Sequence, residues 1–325
     1  MRTLRILSQH PTAAGLALLL VLACSAAAAE PPISIDSKVD VGQLVVSYQG
    51  RKLLVYAFAT NQFKPYVREL YTLRGENVLR DSPPDHQHHH GLMYAVYVNG
   101  INFWEERDAP GVEKHVELPV HMARVDARGT PVASFTEIIH WLAPTNRSAP
   151  DSLAAALLLE QRTLTVTVDE KNHEVALRWD SAFQVGSHAG KVTIHGPNYD
   201  GLGLRLPESF NHIARFQNSA DQSYIGPNTQ NVIAARWSSV SGVMDGREVM
   251  LVLCGRPANA RGDGFFFSML DPFAYLSATQ GVDKEPLEYS AGDKFSLSYL
   301  LTVYSENKPP EFVRRRCELW EKERR

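Results

Sequence analysis

Alternation of apolar and polar residues with a period of two runs through most of this 325-residue chain and constrains its fold more than any other feature. Val175, Leu177 and Trp179 alternate with Ala176, Arg178 and Asp180. Leu164, Val166 and Val168 alternate with Thr163, Thr165 and Thr167. Phe295, Leu297, Tyr299, Leu301 and Val303 alternate with polar neighbours such as Ser296, Ser298 and Thr302. Shorter runs occur at 43–47, 52–58, 134–141 and 249–253. Turn signals separate them, among them Gln49-Gly50, Gly196-Pro197-Asn198, Asp245-Gly246 and Ala291-Gly292-Asp293. One polar face and one apolar face per strand predict an all-β protein, a large antiparallel β-sandwich. One helix is expected, over 310–323: Pro309-Pro310 opens it, and Phe312, Val313, Cys317 and Trp320 form a single stripe.

The first 29 residues are expected to be an address rather than part of the fold. Arg2 and Arg5 precede a ten-residue apolar run, 13–22, too short for the roughly 20 residues a membrane span needs. Small residues follow, and cleavage after Ala29 fits a secretory signal peptide. A rival reading takes Val21-Leu22-Ala23-Cys24 as a lipobox, with Cys24 carrying a lipid anchor. The mature chain, 30–325, is then a single sandwich domain, secreted or periplasmic, or tethered to a membrane by lipid. It has no further run of 18 apolar residues. Loss of Arg2 and Arg5 takes the formal charge from −3 to −5, so no basic excess draws it to nucleic acid. Cys254 and Cys317 remain. They can pair in an oxidising compartment, but two thiols so far apart in sequence are more often separate buried residues. Asn146-Arg147-Ser148 is a sequon in a polar loop, 143–154.

Chemistry concentrates at Asp85-His86-Gln87-His88-His89-His90-Gly91. Four of the 12 histidines fall within five positions, an arrangement that chance composition yields on the order of three times in a thousand. Pro83-Pro84 brings the chain in extended. A hairpin follows: Asn99-Gly100 supplies the two positive φ angles of a type I′ turn. That turn pairs Val98 with Ile101, Val96 with Phe103 and Tyr94 with Glu105, and sets Ala95 against Trp104 and Met93 against Glu106. Four residues of strand span about 13 Å, so Glu106 meets His89 only if the proline-led loop curls inward.

Three uses of the cluster are open. Imidazoles that titrate near neutrality can do acid–base work with Asp85 or Glu106 as carboxylate partner. Alternate residues of an extended chain, His86 and His88, share a face and with His89 can bind Zn or Cu. The third use is a hydrogen-bonded loop without chemistry. Glu105 and Glu106 also read as an exposed strand end, and Trp104 as core packing. Arg205, approached through Gly201-Leu202-Gly203, can bind hydroxyls or carboxylates through its planar fork, although strand arginines more often face solvent. The glycines are spaced too loosely for a dinucleotide fingerprint, and no G-x-S-x-G, C-x-x-C or P-loop pattern occurs.

These same residues resemble the DUF6807 family. Lys64-Pro65-Tyr66, Asp85-His86-Gln87-His88-His89-His90-Gly91 and Asn99-Gly100-Ile101-Asn102-Phe103-Trp104-Glu105-Glu106 are similar to its K-P-Y, D-H-P-H-H-x-G and N-G-x-x-F-W-x-E elements. Tyr199 to Arg205 resembles a G-L-G-x-R element, and Trp237, Gly242 and Arg256 to Arg261 resemble a W…G…H-P-x-N-P-R stretch. Gln87, Arg68, Arg256 and Ala260 depart from that pattern. The resemblance implies a sandwich similar to galactose mutarotase and chemistry on a sugar or glycoside, by mutarotation, elimination or hydrolysis. It implies His86, His88, His89 and Glu106 as catalytic residues and His90 at a variable position; Asp85, Trp104 and Arg205 are the expected substrate-binding residues. No cofactor is required by that reading. Zn or Cu on His86, His88 and His89, or a noncatalytic sugar-binding module, are the alternatives. The family often carries the label "methane oxygenase PmoA". A membrane subunit of that kind needs several spanning helices, for which this sequence has no runs.

Overall fold

The computed structural model describes residues 31–146, 155–221, 231–262 and 264–323. The expected signal segment with Cys24, and Arg147 and Ser148 of the sequon, lie outside the described residues.

The alternating runs form two large antiparallel sheets. In spatial order, the first contains strands Ile33–Lys38, Gln43–Tyr48, Arg51–Ala57, Tyr66–Leu70, Leu92–Ala95, Gly201–Arg205, Tyr275–Thr279, Phe265–Met269 and Asn231–Ala234. The second contains Arg215–Asn218, Trp237–Met244, Arg247–Gly255, Lys294–Tyr304, Glu174–Val185, Ala156–Asp169, Pro131–Leu142 and Val112–Val125. A small sheet is made of Leu287–Ser290, Lys191–His195, Tyr97–Val98 and Ile101–Asn102.

One core lies between the large sheets, built from the apolar half of each alternation. Leu44 and Val46, Leu92 and Tyr94, and Leu202 and Leu204 enter it from the first sheet. Leu164 and Val166, Leu177 and Trp179, and Leu301 and Val303 enter it from the second. The sandwich with one C-terminal helix is as the sequence predicts. Pro310–Lys322 is helical, and Val313, Cys317 and Trp320 pack on the outer face of the second sheet over Ala176, Trp237, Met250, Val252 and Leu300. Arg256 donates to the carbonyls of Trp320 (3.0 Å) and Glu323 (3.1 Å) at the helix C-terminus, a position that favours a cation. Arg316 and Tyr304 both donate to Glu174. Arg256 therefore serves the clasp, and Asn259 exchanges two hydrogen bonds with Ser298 of the second sheet.

Two expectations need correction. Cys254 and Cys317 are not separate thiols: they form a disulfide that ties the helix to the second sheet. Sequence separation gave no hint because strand pairing, not chain distance, brings Cys254 under the helix. The hairpin at Asn99-Gly100 also stops sooner than predicted. Asn99 (φ 53°) and Gly100 (φ 79°) make the expected turn, and Val98 pairs with Ile101. Beyond Phe103, whose N–H still donates to the Val96 carbonyl, the two arms part. Met93 and Ala95 pair instead with Gly203 and Gly201 in the first sheet. The Asn102 side-chain oxygen accepts from the N–H groups of Trp104 (2.8 Å) and Glu105 (3.0 Å), and this local turn pulls the second arm out of register.

The core also holds charge. Arg162, fully buried on the second sheet, donates to Glu160 (2.8 Å), Glu113 (3.1 Å), the Tyr56 hydroxyl (3.2 Å) and the Pro65 carbonyl (2.8 Å). It thereby fixes the Lys64-Pro65-Tyr66 segment from beneath.

Reduction of the Cys254–Cys317 disulfide frees a separation of 63 residues in the unfolded chain. Urea unfolding with and without reductant is expected to differ by about 2–4 kcal/mol, the oxidised form being the more stable. Equal stabilities would contradict the bridge.

Candidate functional site

The first sheet turns its other face away from the sandwich core, and the candidate site lies there. Met93 and Ala95, the out-of-phase partners of Leu92 and Tyr94, lie on this face with Tyr66, Trp104, Phe267, Phe273 and Tyr275. The glycines before Arg205 make room for this aromatic bed. A Cβ on Gly203 would sit 1.8 Å from the Tyr275 hydroxyl, and one on Gly201 (φ +133°) 2.2 Å from the Ala278 carbonyl.

The histidine loop curls onto this bed by two tight turns, with the His86 N–H on the Pro83 carbonyl and the His89 N–H on the His86 carbonyl, each at 2.9 Å. His86, His88 and His89 pack ring on ring. The centroid separation is 4.6 Å for both His86–His89 and His88–His89, and 6.0 Å for His86–His88. Phe273 lies 4.9 Å from His86 and 5.4 Å from His89. Trp104 and Tyr275 each lie 6.2 Å from His89. His89 is buried, whereas His86 and His88 are half-buried at the rim. Trp104 is 2% exposed, so in this conformation its ring supports His89 from below and has no open face.

Glu106 does not bond to His88 or His89. It accepts from His90 Nε2 at 2.8 Å and from Lys64 Nζ at 2.8 Å, and the same ammonium donates to the Trp104 carbonyl at 3.1 Å. The other ring nitrogen of His90 bonds to Asp81 at 3.0 Å, and the ring stacks on Tyr66 at 3.9 Å. Tyr66 donates to the second oxygen of Asp81. Carboxylates only accept, so both nitrogens of His90 donate and the ring is held as imidazolium. Burial opposes that charge, but the bonds to Asp81 and Glu106 outweigh it and raise the His90 pKa. Burial likewise favours the neutral form of Glu106, but the His90 bond and the Lys64 charge overcome it and hold the pKa at about 2.

Two of the packed rings, His88 and His89, behave oppositely. Burial pushes His89 down to about 2, with further lowering from His88, His86 and Arg205. Burial also lowers His88, against the pull of Glu105 and Glu106. The cluster thus sets two uncharged imidazoles beside a carboxylate that is ionised at neutral pH. Asp85 bonds to His86 at 2.9 Å, and this bond is the main cause of its lowered pKa. Arg205 lies across Phe273, 3.4 Å from the ring centroid, with Asp85 at 3.7 Å.

The loop therefore brings together His86, His88, His89, Asp85 and Arg205, and joins Glu106 to them through its neighbour His90. Among the described residues, no three His, Cys, Asp or Glu side chains are arranged to hold a metal ion, so no step is derived through Zn or Cu. Sequence reasoning ranked His90 below its neighbours and gave no role to Lys64, Tyr66 or Asp81. The first two stand in a recognisable motif, but nothing local marks Asp81, Phe273 or Tyr275. Of the other arginines, Arg236 pairs with Glu321 and Arg261 with Glu285.

These features define an all-β sandwich with a histidine-rich site on the outer face of one sheet. The chain belongs to DUF6807, a family of unknown function whose model matches residues 43–317. None of the curated proteins matches it in sequence. Among solved structures it is similar to the GH36 α-galactosidase AgaB from Geobacillus stearothermophilus, at a TM-score of 0.46 and 10% identity over 84% of this chain and 41% of that one. It is also similar to the α-galactosidase from Lactobacillus brevis, at 0.45 and 6% identity, over 85% of this chain and 40% of that one. A galactose mutarotase related enzyme from Lactobacillus acidophilus matches at 0.39 and 8% identity, over 79% of this chain and 96% of that one. The chain spans about two fifths of the length of these α-galactosidases.

Glu106 has a folded pKa of about 2 against an ordinary 4.5. A depressed carboxylate contributes stability above its unfolded pKa and loses it as pH falls through the folded value. Glu106→Gln is therefore expected to cost on the order of 3 kcal/mol at pH 7 and less at each step from pH 4.5 down to 2. A difference in urea unfolding that stays constant from pH 7 to pH 3 would contradict this coupling.

Proposed function

We propose that this is an exported carbohydrate-active protein in which the histidine cluster, with Glu106 as its fixed charge, carries out acid–base chemistry on a sugar or glycoside. The observation that carries the reading is the opposition of charge states within one loop. His88 and His89 are kept uncharged by burial, next to a His90–Glu106–Lys64 lattice that keeps its charges.

An uncharged imidazole at the rim has a nitrogen lone pair available for a substrate proton. His88 is the proton acceptor in this scheme, since it is half-buried and two carboxylates, Glu105 and Glu106, lie close enough to stabilise the imidazolium it becomes. His86, oriented by Asp85, enters this scheme as the imidazolium and gives its ring proton to the substrate while His88 takes one up. His89 packs between them and fixes their rings. Glu106 acts by its charge, because a carboxyl held at about 2 does not donate a proton at neutral pH. Imidazoles, a guanidinium and a carboxylate above an aromatic bed offer both donors and acceptors, the combination that a ring with many hydroxyls requires. The export reading rests on the N-terminal segment, and the Cys254–Cys317 disulfide supports an oxidising compartment. A lipid anchor at Cys24 remains part of that proposal.

The test is turnover of free sugars and glycosides followed by NMR. Once a substrate is found, His88→Ala is expected to lower kcat by about 10²-fold or more, the usual contribution of a positioned acid–base group. His89→Ala and Glu106→Gln should lower it too, by disordering the rings and removing the charge. Variants as active as wild type would overturn the acid–base assignment. Binding without turnover by any variant or by wild type would make the chain a sugar-binding module.

A further inference from the structure

We propose that the ligand of this site is a sugar bearing a carboxylate, a uronate or aldonate, and that Arg205 is the residue that binds its anion in place of Asp85. The inference rests on the carbohydrate reading above and narrows it to one substrate class.

The guanidinium of Arg205 is under-compensated. Its side chain is 1% exposed, and its Nε and Nη1 have no hydrogen-bond partner among the described residues. A buried arginine left in this state is costly, because a desolvated charge needs both a counter-charge and filled donors. Arg162, the other fully buried arginine of comparable setting, meets that need with two carboxylates, a hydroxyl and a carbonyl. Arg205 has Phe273 on its face and one carboxylate, Asp85, at 3.7 Å, beyond hydrogen-bond length. Arg80 adds a second positive charge nearby, itself paired to the exposed Glu208 at 3.2 Å. Burial without adequate compensation lowers the Arg205 pKa to about 10.

Asp85 has the properties of a placeholder. It sits on the curled loop, its side chain is 55% exposed, and it is shared between His86 and Arg205. A carboxylate on a ligand offers Arg205 the planar two-oxygen partner that matches its fork, which Asp85 at 3.7 Å does not. His89 has a further buried nitrogen, Nδ1, without a hydrogen-bond partner among the described residues. The histidines add no competing anion, and one oxygen of Glu106, Oε1, already takes both Lys64 and His90. What the Arg205 end of the site lacks is a carboxylate, and what the aromatic bed and imidazoles accommodate is a polyhydroxylated ring.

The experiment is isothermal titration calorimetry of the full chain with glucuronate and galacturonate, each against its neutral parent sugar, with glucose 6-phosphate and inorganic sulfate as further arms. A uronate is expected to bind at least ten-fold more tightly than its parent. Arg205→Gln should abolish that preference, and Arg205→Lys should restore only part of it, since the charge returns without the fork. Asp85→Asn changes an exposed side chain and keeps the fold testable should Arg205 variants not fold; it is expected to tighten uronate binding several-fold by removing the internal competitor. Equal affinity for uronate and parent sugar would overturn the anionic class while leaving the carbohydrate reading in place. Tight binding of glucose 6-phosphate or sulfate without uronate binding would replace the carboxylate by another oxyanion and overturn the proposal. Binding of no sugar of either kind would overturn both readings, and a weaker uronate affinity in Asp85→Asn would overturn the placeholder role.

Discussion

The Glu106 carboxylate, held between Lys64 and His90, is the contact on which the site depends. Three segments far apart in sequence meet at it: Lys64-Pro65-Tyr66, the loop 81–91, and the turn that follows the Asn99-Gly100 hairpin. Lys64-Pro65, the loop and the turn lie outside the strands, and Tyr66 opens one. Joined by one carboxylate, two cations and Asp81, they become a fixed frame. Because the groups are largely withdrawn from water, loss of one partner strands the others as unpaired charge, and such a loss costs several kcal/mol. Beneath the frame, Arg162 extends the same logic into the core by holding the Pro65 carbonyl from the opposite sheet.

The frame explains why neighbouring histidines differ so sharply. His90 is charged because both its nitrogens face carboxylates, while His89, one residue earlier, faces Phe273, Trp104 and two other imidazoles. Identical side chains at adjacent positions thus acquire opposite protonation preferences from their surroundings alone. An enzyme that moves protons near neutrality needs that division between groups that keep their charge and groups that change it.

Much of this was legible in the sequence. The alternation at Val175, Leu177 and Trp179 named the core face correctly, and Asn99-Gly100 named the turn, because both are local consequences of backbone geometry. The stripe of Val313, Cys317 and Trp320 likewise named the buried face of the helix. What the sequence hid was non-local or decided by competition. The hairpin was overextended because Asn102 looks like a strand residue until its side chain caps the next two N–H groups. His90 looked dispensable because its worth comes from Asp81 and Glu106, nine and sixteen residues away. Phe273 and Tyr275 carried no signal, since only the order of strands in the first sheet brings them under a loop nearly 190 residues earlier. The disulfide was missed for the same reason.

The division of charge within the loop is the central claim, and a long-range ¹⁵N–¹H spectrum of the histidine side chains tests it most directly. At pH 7 the account predicts a His90 ring with both nitrogens protonated and neutral tautomers for His88 and His89, that of His89 persisting as the pH falls to 5. Assignment follows from single His→Gln replacements. A neutral His90 at pH 7, or a His89 that protonates near pH 6.5 like a free imidazole, would contradict the account.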